Sequence, residues 1–267
     1  MKPHSSPTSL GSPFVHGELT PTSPPGMNFG HSSGNSFGLM ERCVAVDTMS
    51  LVARTLNRSR AHLRSMLLQS NTTVLEDFYV HLVDAVPDLI EHVHRTTARL
   101  LLNVNGYIER IANSKWEVKE LGLEHNGYVD SLLGEFKQYG MRLAQGGIRK
   151  EVQDKLLDYG LEILAETLVE GLSRVKRCSD EGRALMSLDL QVLINGLQHL
   201  SSLNVKSKLQ MVETYIKAYY LPDKEYVQWA HAHPVYSKSQ IVGLVNLVAA
   251  MKGWKRKTRL QVLEKIE

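Results

Sequence analysis

The sequence predicts an all-α protein built as a stacked helical bundle or rod, and three observations support this fold class. From Leu39 onward the apolar residues recur in steps of three and four. Strand-like alternation of apolar and polar residues is nearly absent. Gly, Pro and capping residues divide the pattern into about eight to ten helices, arranged around one core or as two sub-bundles. We therefore predict a helical domain over residues 39–267.

The first 38 residues differ sharply in composition from the rest. They contain 8 Ser, 6 Pro and 6 Gly, and only Lys2 and Glu18 are charged. Such a segment buries too little apolar surface to offset the entropy lost on ordering. We predict a disordered linker over residues 1–38, in which Ser-Pro and Thr-Pro pairs fit either phosphorylation sites or simply the common composition of such tails.

The longest predicted helix runs from Ile148 to Cys178. Its apolar residues step along one face, and Gly160 and Gly171 each cost about 1 kcal/mol unless close packing uses them. Capping boxes are predicted at Thr73-x-x-Glu76, Ser114-x-x-Glu117 and Ser237-x-x-Gln240, and Ser179 is predicted to cap a helix. Further helices are predicted over residues 88–104, 128–145, 180–200, 205–220 and 238–251.

Composition and motifs exclude several classes of protein. With only 2 Cys among 267 residues, the chain is not a disulfide-stapled scaffold, and no apolar run is long enough to span a membrane. No signal peptide is expected, so a reduced cytosolic setting follows. Nucleotide-binding, zinc-protease and esterase motifs are missing. We predict no catalytic residues, no cofactor and no metal site.

Two histidine pairs and one cysteine are the best candidates for chemistry. His92 and His94, like His231 and His233, are two residues apart, which on a helix turns the side chains away from each other. Cys178 follows three basic residues that would lower the pKa of its thiol, although a structural role at a helix C-terminus is the preferred interpretation.

The last 16 residues hold the basic character of the protein. Residues 252–267 carry six cations and two acids, a net +4, whereas residues 39–251 carry −1. This composition fits contact with an anionic membrane or an acidic partner, and it equally fits a packed terminal helix with solvated lysines. No nucleic-acid motif accompanies it, so nucleic acid is an unlikely partner. The candidate binding residues are Lys252, Trp254, Lys255, Arg256, Lys257 and Arg259.

Two further regions are weaker candidates for partner binding. Four arginines follow Asp47 with no acid before Glu76, and they either pair with acids on neighbouring helices or form an anion-binding surface. Residues 215–236 are rich in aromatics, which suit both binding hot spots and packed helix corners. The residues concerned are Arg54, Arg58, Arg60, Arg64, Tyr219, Tyr220 and Trp229.

Several long strings resemble the C-terminal domain of syndetin. They are RTTARLLLNVNGYIERIANSKWEVKEL (95–121), HNGYVDSLLGEF (125–136), CSDEGRALMSLDLQ (178–191), ETYIKAYYL (213–221) and SKSQIVGLVNLV (237–248). The resemblance covers residues 39–267 and looks most like plant forms.

This resemblance implies a subunit of the EARP complex, which shares its other subunits with the Golgi-associated GARP complex. Such tethers bring endosome-derived carriers to target membranes before SNARE-mediated fusion, in endosomal recycling and retrograde transport. The implied partners are other EARP subunits and SNARE proteins. The implied location is cytoplasmic, peripherally associated with recycling endosome or trans-Golgi network membranes.

The resemblance also implies helical bundles stacked into rods, and it supplies no catalytic residues. Syndetins are much longer and assemble through N-terminal coiled coils, so we expect this chain to be a fragment, a short gene model or an independent short form. The alternative is a helical metal-dependent enzyme with scattered His and carboxylate ligands, which a stoichiometric bound metal would favour.

Limited proteolysis tests the predicted boundary near Leu39. Because the first 38 residues lack the apolar content of a core, a protease should remove them and leave a stable fragment that begins close to Leu39. Mass spectrometry of the product identifies the cut. Lasting protection of residues 1–38 would contradict the prediction.

Overall fold

The computed structural model describes residues 38–67, 71–122 and 124–266. Within these ranges the chain is helical and contains no β-strand, which confirms the all-α fold class. Eight of the described α-helices have nine residues or more, in keeping with the eight to ten expected. The predicted disordered tail lies outside the described residues, apart from Gly38 at its end.

The helices are numbered in chain order. Their bounds are α1 (Leu39–Met66), α2 (Thr72–Phe78), a π-helical turn (Tyr79–Val83), α3 (Val86–Leu101), α4 (Tyr107–Ala112), α5 (Gly127–Gln145), α6 (Lys150–Ser173), α7 (Asp180–Leu200), α8 (Val205–Lys208), α9 (Gln210–Ala218), α10 (Tyr226–Ala232), α11 (Lys238–Met251) and α12 (Arg256–Ile266). The predictions for α7 and α11 match in full, and α3 and α5 agree within three residues.

Two of the predicted N-terminal caps are present. The Ser179 hydroxyl accepts a hydrogen bond from the Gly182 amide at 3.1 Å and so caps α7. At α11, the Ser237 hydroxyl accepts from the Gln240 amide while the Gln240 side chain accepts from the Ser237 amide, which completes the capping box. Each cap satisfies helix amides that have no partner within the helix.

The other two capping boxes were wrong. Helix α2 begins at Thr72, and its N-cap residue Asn71 makes no side-chain capping bond. Ser114 follows the end of α4 instead of starting a helix, because its hydroxyl donates back to the Arg110 carbonyl at 2.7 Å. A Ser or Thr hydroxyl can donate to the backbone carbonyl four residues earlier instead of capping a helix, and the Ser114 hydroxyl does so.

The longest predicted helix is shorter at its C-terminal end than expected. Helix α6 ends at Ser173, so Cys178 lies in the connection to α7. The Ser179 amide in this connection donates to the Trp116 carbonyl at 3.1 Å, and the Val118 amide donates to the Ser179 hydroxyl at 3.2 Å. These bonds to a distant loop replace further helical turns. Similarly, the range predicted as one helix over 205–220 divides at Leu209 into α8 and α9.

Helix α6 lies at the centre of the domain. It packs against α3, α4, α5, α8, α9 and α11. Both of its interior glycines serve close packing, since a Cβ on Gly160 would lie 2.6 Å from the Tyr139 ring and one on Gly171 would lie 2.7 Å from Ile111. Close packing is the condition under which we expected glycine to be tolerated inside this helix, and both glycines meet it.

A second, smaller apolar cluster lies beside α1. It contains the buried residues Ala53, Tyr79 and Val83, and Leu56, Leu75 and Val86 pack on it. The Tyr79 hydroxyl donates to the Leu56 carbonyl at 2.6 Å, which ties the π-helical turn to α1. From Asp47 to Met66, Ala53 is the one α1 residue that is buried, so most of this helix half remains accessible in the described part of the chain.

Replacing Gly182 by alanine tests the packing of α7 on the Trp116 loop. A Cβ there would lie 1.8 Å from the Trp116 carbonyl oxygen, which is already fixed by the Ser179 amide. We expect Gly182→Ala to lower the free energy of unfolding by about 3 kcal/mol, measured by urea denaturation.

Gly134 in α5 is the matched control, because it is exposed and a Cβ added to it would meet no other atom within 4 Å. Gly134→Ala should raise the free energy of unfolding by about 0.5–1 kcal/mol. Equal effects of the two substitutions would contradict the packing described for Gly182.

Candidate functional site

The basic C-terminal candidates lie on and just before helix α12. This helix packs against α10 and α11. Val262, Leu263 and Ile266 are partly buried and rest on the main core, while Leu260 remains 41% exposed. The terminal helix is therefore attached to the domain by its apolar side, as the packed-helix interpretation expected, and the cations occupy the remaining surface.

Lys252 is engaged inside the domain. Its ammonium group donates to the Leu221 carbonyl at 2.6 Å and lies 2.8 Å from the Asp223 carboxylate. The same group sits 5.4 Å from the centre of the Tyr226 ring. Lys252 therefore links the end of α11 to the connection between α9 and α10, and its charge is paired with the Asp223 carboxylate there.

Trp254 also has an internal role. Its ring meets the Tyr226 ring edge to face at a centroid distance of 5.7 Å, and the side chain is only partly exposed. Such an aromatic pair adds about 0.5–1.5 kcal/mol beyond the area it buries. The residue positions the start of α12 more than it presents a contact surface.

Three cations at the N-terminal end of α12 keep their charge for an external partner. Lys255, Arg256 and Lys257 are exposed, and none of them forms an ion pair with a described residue. No acid lies in the first turn of α12, where the helix dipole adds positive potential. Arg259, one turn later, is half-buried, and its Nε makes no hydrogen bond within the described chain. We call these four residues the basic edge.

The α1 arginines divide into two pairs with different roles. The Arg60 guanidinium lies 2.5 Å from Glu76 and 3.2 Å from Asp84, and it covers the Tyr79 ring at 4.7 Å. Its hydrogen bond to Glu76 lowers the pKa of that carboxyl group. Arg64 lies 3.5 Å from Glu76 as well. This pair follows the internal-pairing interpretation.

Arg54 and Arg58 form the second pair, and both are exposed. The Arg54 Nε donates to the Ser50 carbonyl of its own helix at 3.3 Å. Neither arginine forms an ion pair with the described residues. They retain their charge for an external partner.

The aromatic candidates are mostly structural. Tyr219 is buried and its hydroxyl donates to the Leu172 carbonyl at 3.4 Å, so this candidate belongs to the core; burial raises its pKa. Trp229 stacks on Tyr236 at 5.2 Å and on His233 at 4.7 Å. Tyr220 is the exposed member, and the Arg183 guanidinium lies 4.4 Å from its ring.

The family profile described as "Syndetin, C-terminal" matches residues 36–267 of this chain. The chain belongs to the syndetin C-terminal family. It is 35% identical to syndetin of Gallus gallus and 34% identical to syndetin of Mus musculus, over 221 residues in each case. These alignments cover 81% of this chain and 23% of each relative, so the chain spans about a quarter of the length of these relatives.

Where the structure describes them, the histidines of this syndetin-family domain are not gathered into a metal site. Among the described residues, no group of three or more His, Cys, Asp or Glu side chains is placed to hold a metal ion. For Cys178, the structure argues against the alternative of an acidified thiol and agrees with the preferred structural interpretation. Burial raises the pKa of Cys178 to about 12, and its sulfur donates to the Ser179 carbonyl at 3.2 Å.

None of the described helices is long and apolar enough to cross a membrane.

Two features of the syndetin-family domain escaped the sequence analysis. One is an acidic ladder on α6, in which each carboxylate lies one turn after the last: Asp158, Glu162, Glu166 and Glu170. The other is an apolar groove between α1 and the π-helical turn. The four-residue acid spacing was visible in the sequence, whereas the groove depends on which turns remain uncovered after folding.

The surroundings of His94 predict a stability of the domain that depends on pH. The side chain is buried, and neither ring nitrogen has a hydrogen-bond partner within the described chain. Burial, together with the positive charge of Lys155, lowers the pKa of His94 in the folded state, although Asp47 opposes the shift. The unfolded chain therefore takes up this proton at higher pH than the folded domain does.

We expect the free energy of unfolding to fall as the pH drops below about 6.5, by at most about 1.4 kcal/mol per pH unit for this one proton. Urea denaturation at pH 7.5 and pH 5.5 measures the difference. His94→Leu should reduce the difference, whereas His92→Leu, an exposed position on the same helix, should keep it. An unchanged difference in His94→Leu would show that other groups cause it.

Proposed function

We propose that this chain acts as a non-catalytic module of the EARP tethering complex, in endosomal recycling and retrograde vesicle transport. The observation that carries the proposal is the family match over residues 36–267, which includes every described helix. The helical architecture also suits a protein that binds partners and carries out no catalysis, since its large side chains pack the helices together.

The proposed partners follow from the tethering role. They are the other EARP subunits and SNARE proteins, encountered at recycling endosome or trans-Golgi network membranes. Proximity labelling with the tagged gene product should mark EARP subunits and endosomal SNARE proteins above a freely diffusing cytosolic control. Labelling no stronger than this control would reject the proposal.

We further propose that the basic edge contacts anionic lipid. Lys255, Arg256 and Lys257 project from the start of α12 without ion pairs to the described residues, and the helix dipole adds to their positive potential. Just before α12, Lys252 bonds to the α9–α10 connection and Trp254 packs on Tyr226 of α10, so the cations follow a segment that is held to the domain. Residues of this kind contribute about 1 kcal/mol each near an anionic bilayer.

Charge reversal of the basic edge tests this contact. Replacing Lys255, Arg256, Lys257 and Arg259 by Glu should weaken flotation with phosphatidylserine-rich vesicles by about two to three orders of magnitude at low salt. Added salt should have the same effect on the unaltered protein, because it screens surface charge. Since Arg259 is half-buried, a triple variant that keeps it separates loss of binding from loss of folding.

The control variant reverses four exposed cations that form no ion pair with the described residues: Lys115, Lys119, Lys137 and Lys224. It changes the net charge by the same amount as the quadruple variant of the basic edge, and it should retain flotation. Thermal melting of all variants accompanies the assay. Unchanged flotation of the triple variant would reject the membrane contact while leaving the tethering role open to the labelling test.

A further inference from the structure

A pocket of about 450 Å³ lies between helices α7, α8 and α9. We call it the α7 pocket. Its volume is within the range of typical ligand-binding sites. The described residues that line it come from these three helices alone, so the pocket is separate from the basic edge on α12 and from the apolar groove beside α1.

The floor of the α7 pocket is aliphatic. Leu190 and Ile194 of α7 and Ile216 of α9 form it, and all three belong to the main core. Because core packing fixes these side chains, the floor keeps its shape without a ligand. It offers an apolar surface to an aliphatic group, whereas no aromatic ring among the described lining residues is placed to stack on a nucleotide base.

The part of the α7 pocket that belongs to α7 carries a row of uncharged polar side chains. Ser187, Gln191, Asn195 and Gln198 follow at steps of four, four and three residues, so they share one side of the helix over about 16 Å. The Gln191 side-chain amide donates to the Asn195 side-chain oxygen at 3.0 Å. Each carboxamide has two donors and an acceptor, so this bond leaves most of them available to the backbone of a bound peptide.

Helices α8 and α9 supply the charge of the α7 pocket. The Lys217 ammonium lies 2.6 Å from the Glu213 carboxylate, and this bond, helped by the positive charge of Lys206, lowers the pKa of Glu213. Lys206 itself is exposed and forms no ion pair with a described residue. Two described cations against one acid leave the pocket with a net positive charge.

These three features together indicate the chemistry of the ligand. An anionic group would meet Lys206, and the Lys217 ammonium has further donors beside the one that faces Glu213. A cationic ligand would instead add to the positive charge already present. The acyl chains of a lipid would cover the polar row on α7 and remove its hydrogen bonds to water without replacing them. An acidic peptide with an aliphatic side chain satisfies the floor, the row and the lysines at once.

We propose that the α7 pocket binds a short acidic peptide segment of another protein. An aliphatic side chain of the peptide rests on the floor, its backbone bonds to the carboxamides of α7, and a neighbouring carboxylate meets Lys206. This inference does not rest on the tethering role or on the basic edge. It assigns a protein-binding site to α7, α8 and α9.

A displayed library of random peptides of about 12 residues tests the proposal on the full chain. Acidic peptides also collect at the basic edge, so the library is first depleted on Gln191→Trp, in which the indole fills the α7 pocket and the basic edge is unchanged. The remaining peptides are then selected on the unaltered chain. They should carry Leu, Ile or Val beside Asp or Glu, because the floor is aliphatic and Lys206 lacks an ion pair with the described residues.

Two matched pairs of variants then test the selected peptide by fluorescence polarisation. Asn195→Trp, which blocks the pocket from the next turn of α7, should weaken binding at least about tenfold, whereas Gln228→Trp, at an exposed position of α10 outside the pocket, should not. Lys206→Glu should weaken binding about fivefold to tenfold, whereas Lys224→Glu, exposed in the α9–α10 connection, should have little effect. Thermal melting shows whether each variant folds.

Several outcomes would overturn the proposal. One is a depleted library from which no peptide binds the unaltered chain, and another is a selection that enriches Lys and Arg over Asp and Glu. Unchanged binding by folded Asn195→Trp or folded Lys206→Glu would place the peptide elsewhere on the domain. Vesicle flotation that Gln191→Trp abolishes would assign the pocket to lipid instead of a protein segment.

Discussion

Close packing against helix α6 is the constraint on which the rest of this domain depends. Six other helices contact it, and Gly160 and Gly171 let the Tyr139 ring and Ile111 approach its backbone to distances that no Cβ would allow. Because interiors are packed to crystal-like density, these positions determine how near α5 and α4 come to the centre. The same principle recurs at Gly243, where a Cβ would lie 2.1 Å from the Ser173 carbonyl oxygen, so α11 meets the end of α6 backbone to backbone.

The acidic ladder on α6 orients neighbouring helices, whereas the apolar packing that brings them together is not directional. Lys208 of α8 bonds to Asp158 and Glu162 at 2.7 and 2.9 Å, and Arg95 of α3 bonds to Glu162 at 2.9 Å and also to Glu166. Both cations are only about a third exposed. Partly exposed pairs of this kind add little stability one by one. Their effect is on register, since each cation must reach two acids one helical turn apart.

Local signals in the sequence predict the elements whose boundaries are set locally. Ser179 and Ser237 cap α7 and α11 as expected because each hydroxyl meets an amide three residues later. The helix expected to reach Cys178 ends at Ser173, and the Ser179 amide that follows donates to the Trp116 carbonyl, far away in sequence, instead of continuing the helix. Among the candidate contact residues, composition located the cations but not their partners: Lys252 and Arg60 meet acids from other elements, whereas Lys255 meets none among the described residues.

This difference between charge count and available charge explains where the contact surfaces lie. A cation that folding places beside an acid forms an ion pair that links two elements. Arg60 links α1 to α2 in this way, and Lys252 links α11 to the α9–α10 connection. Arg58 and the first turn of α12 keep their charge because no described acid is folded against them. The apolar groove between α1 and the π-helical turn is the corresponding case for apolar surface: α6 covers the central helices, while the second half of α1 contacts α2, the π-helical turn and the start of α3 and buries Ala53 alone among its described residues. Cations and apolar side chains that internal packing leaves without a partner are therefore where another molecule gains most from binding.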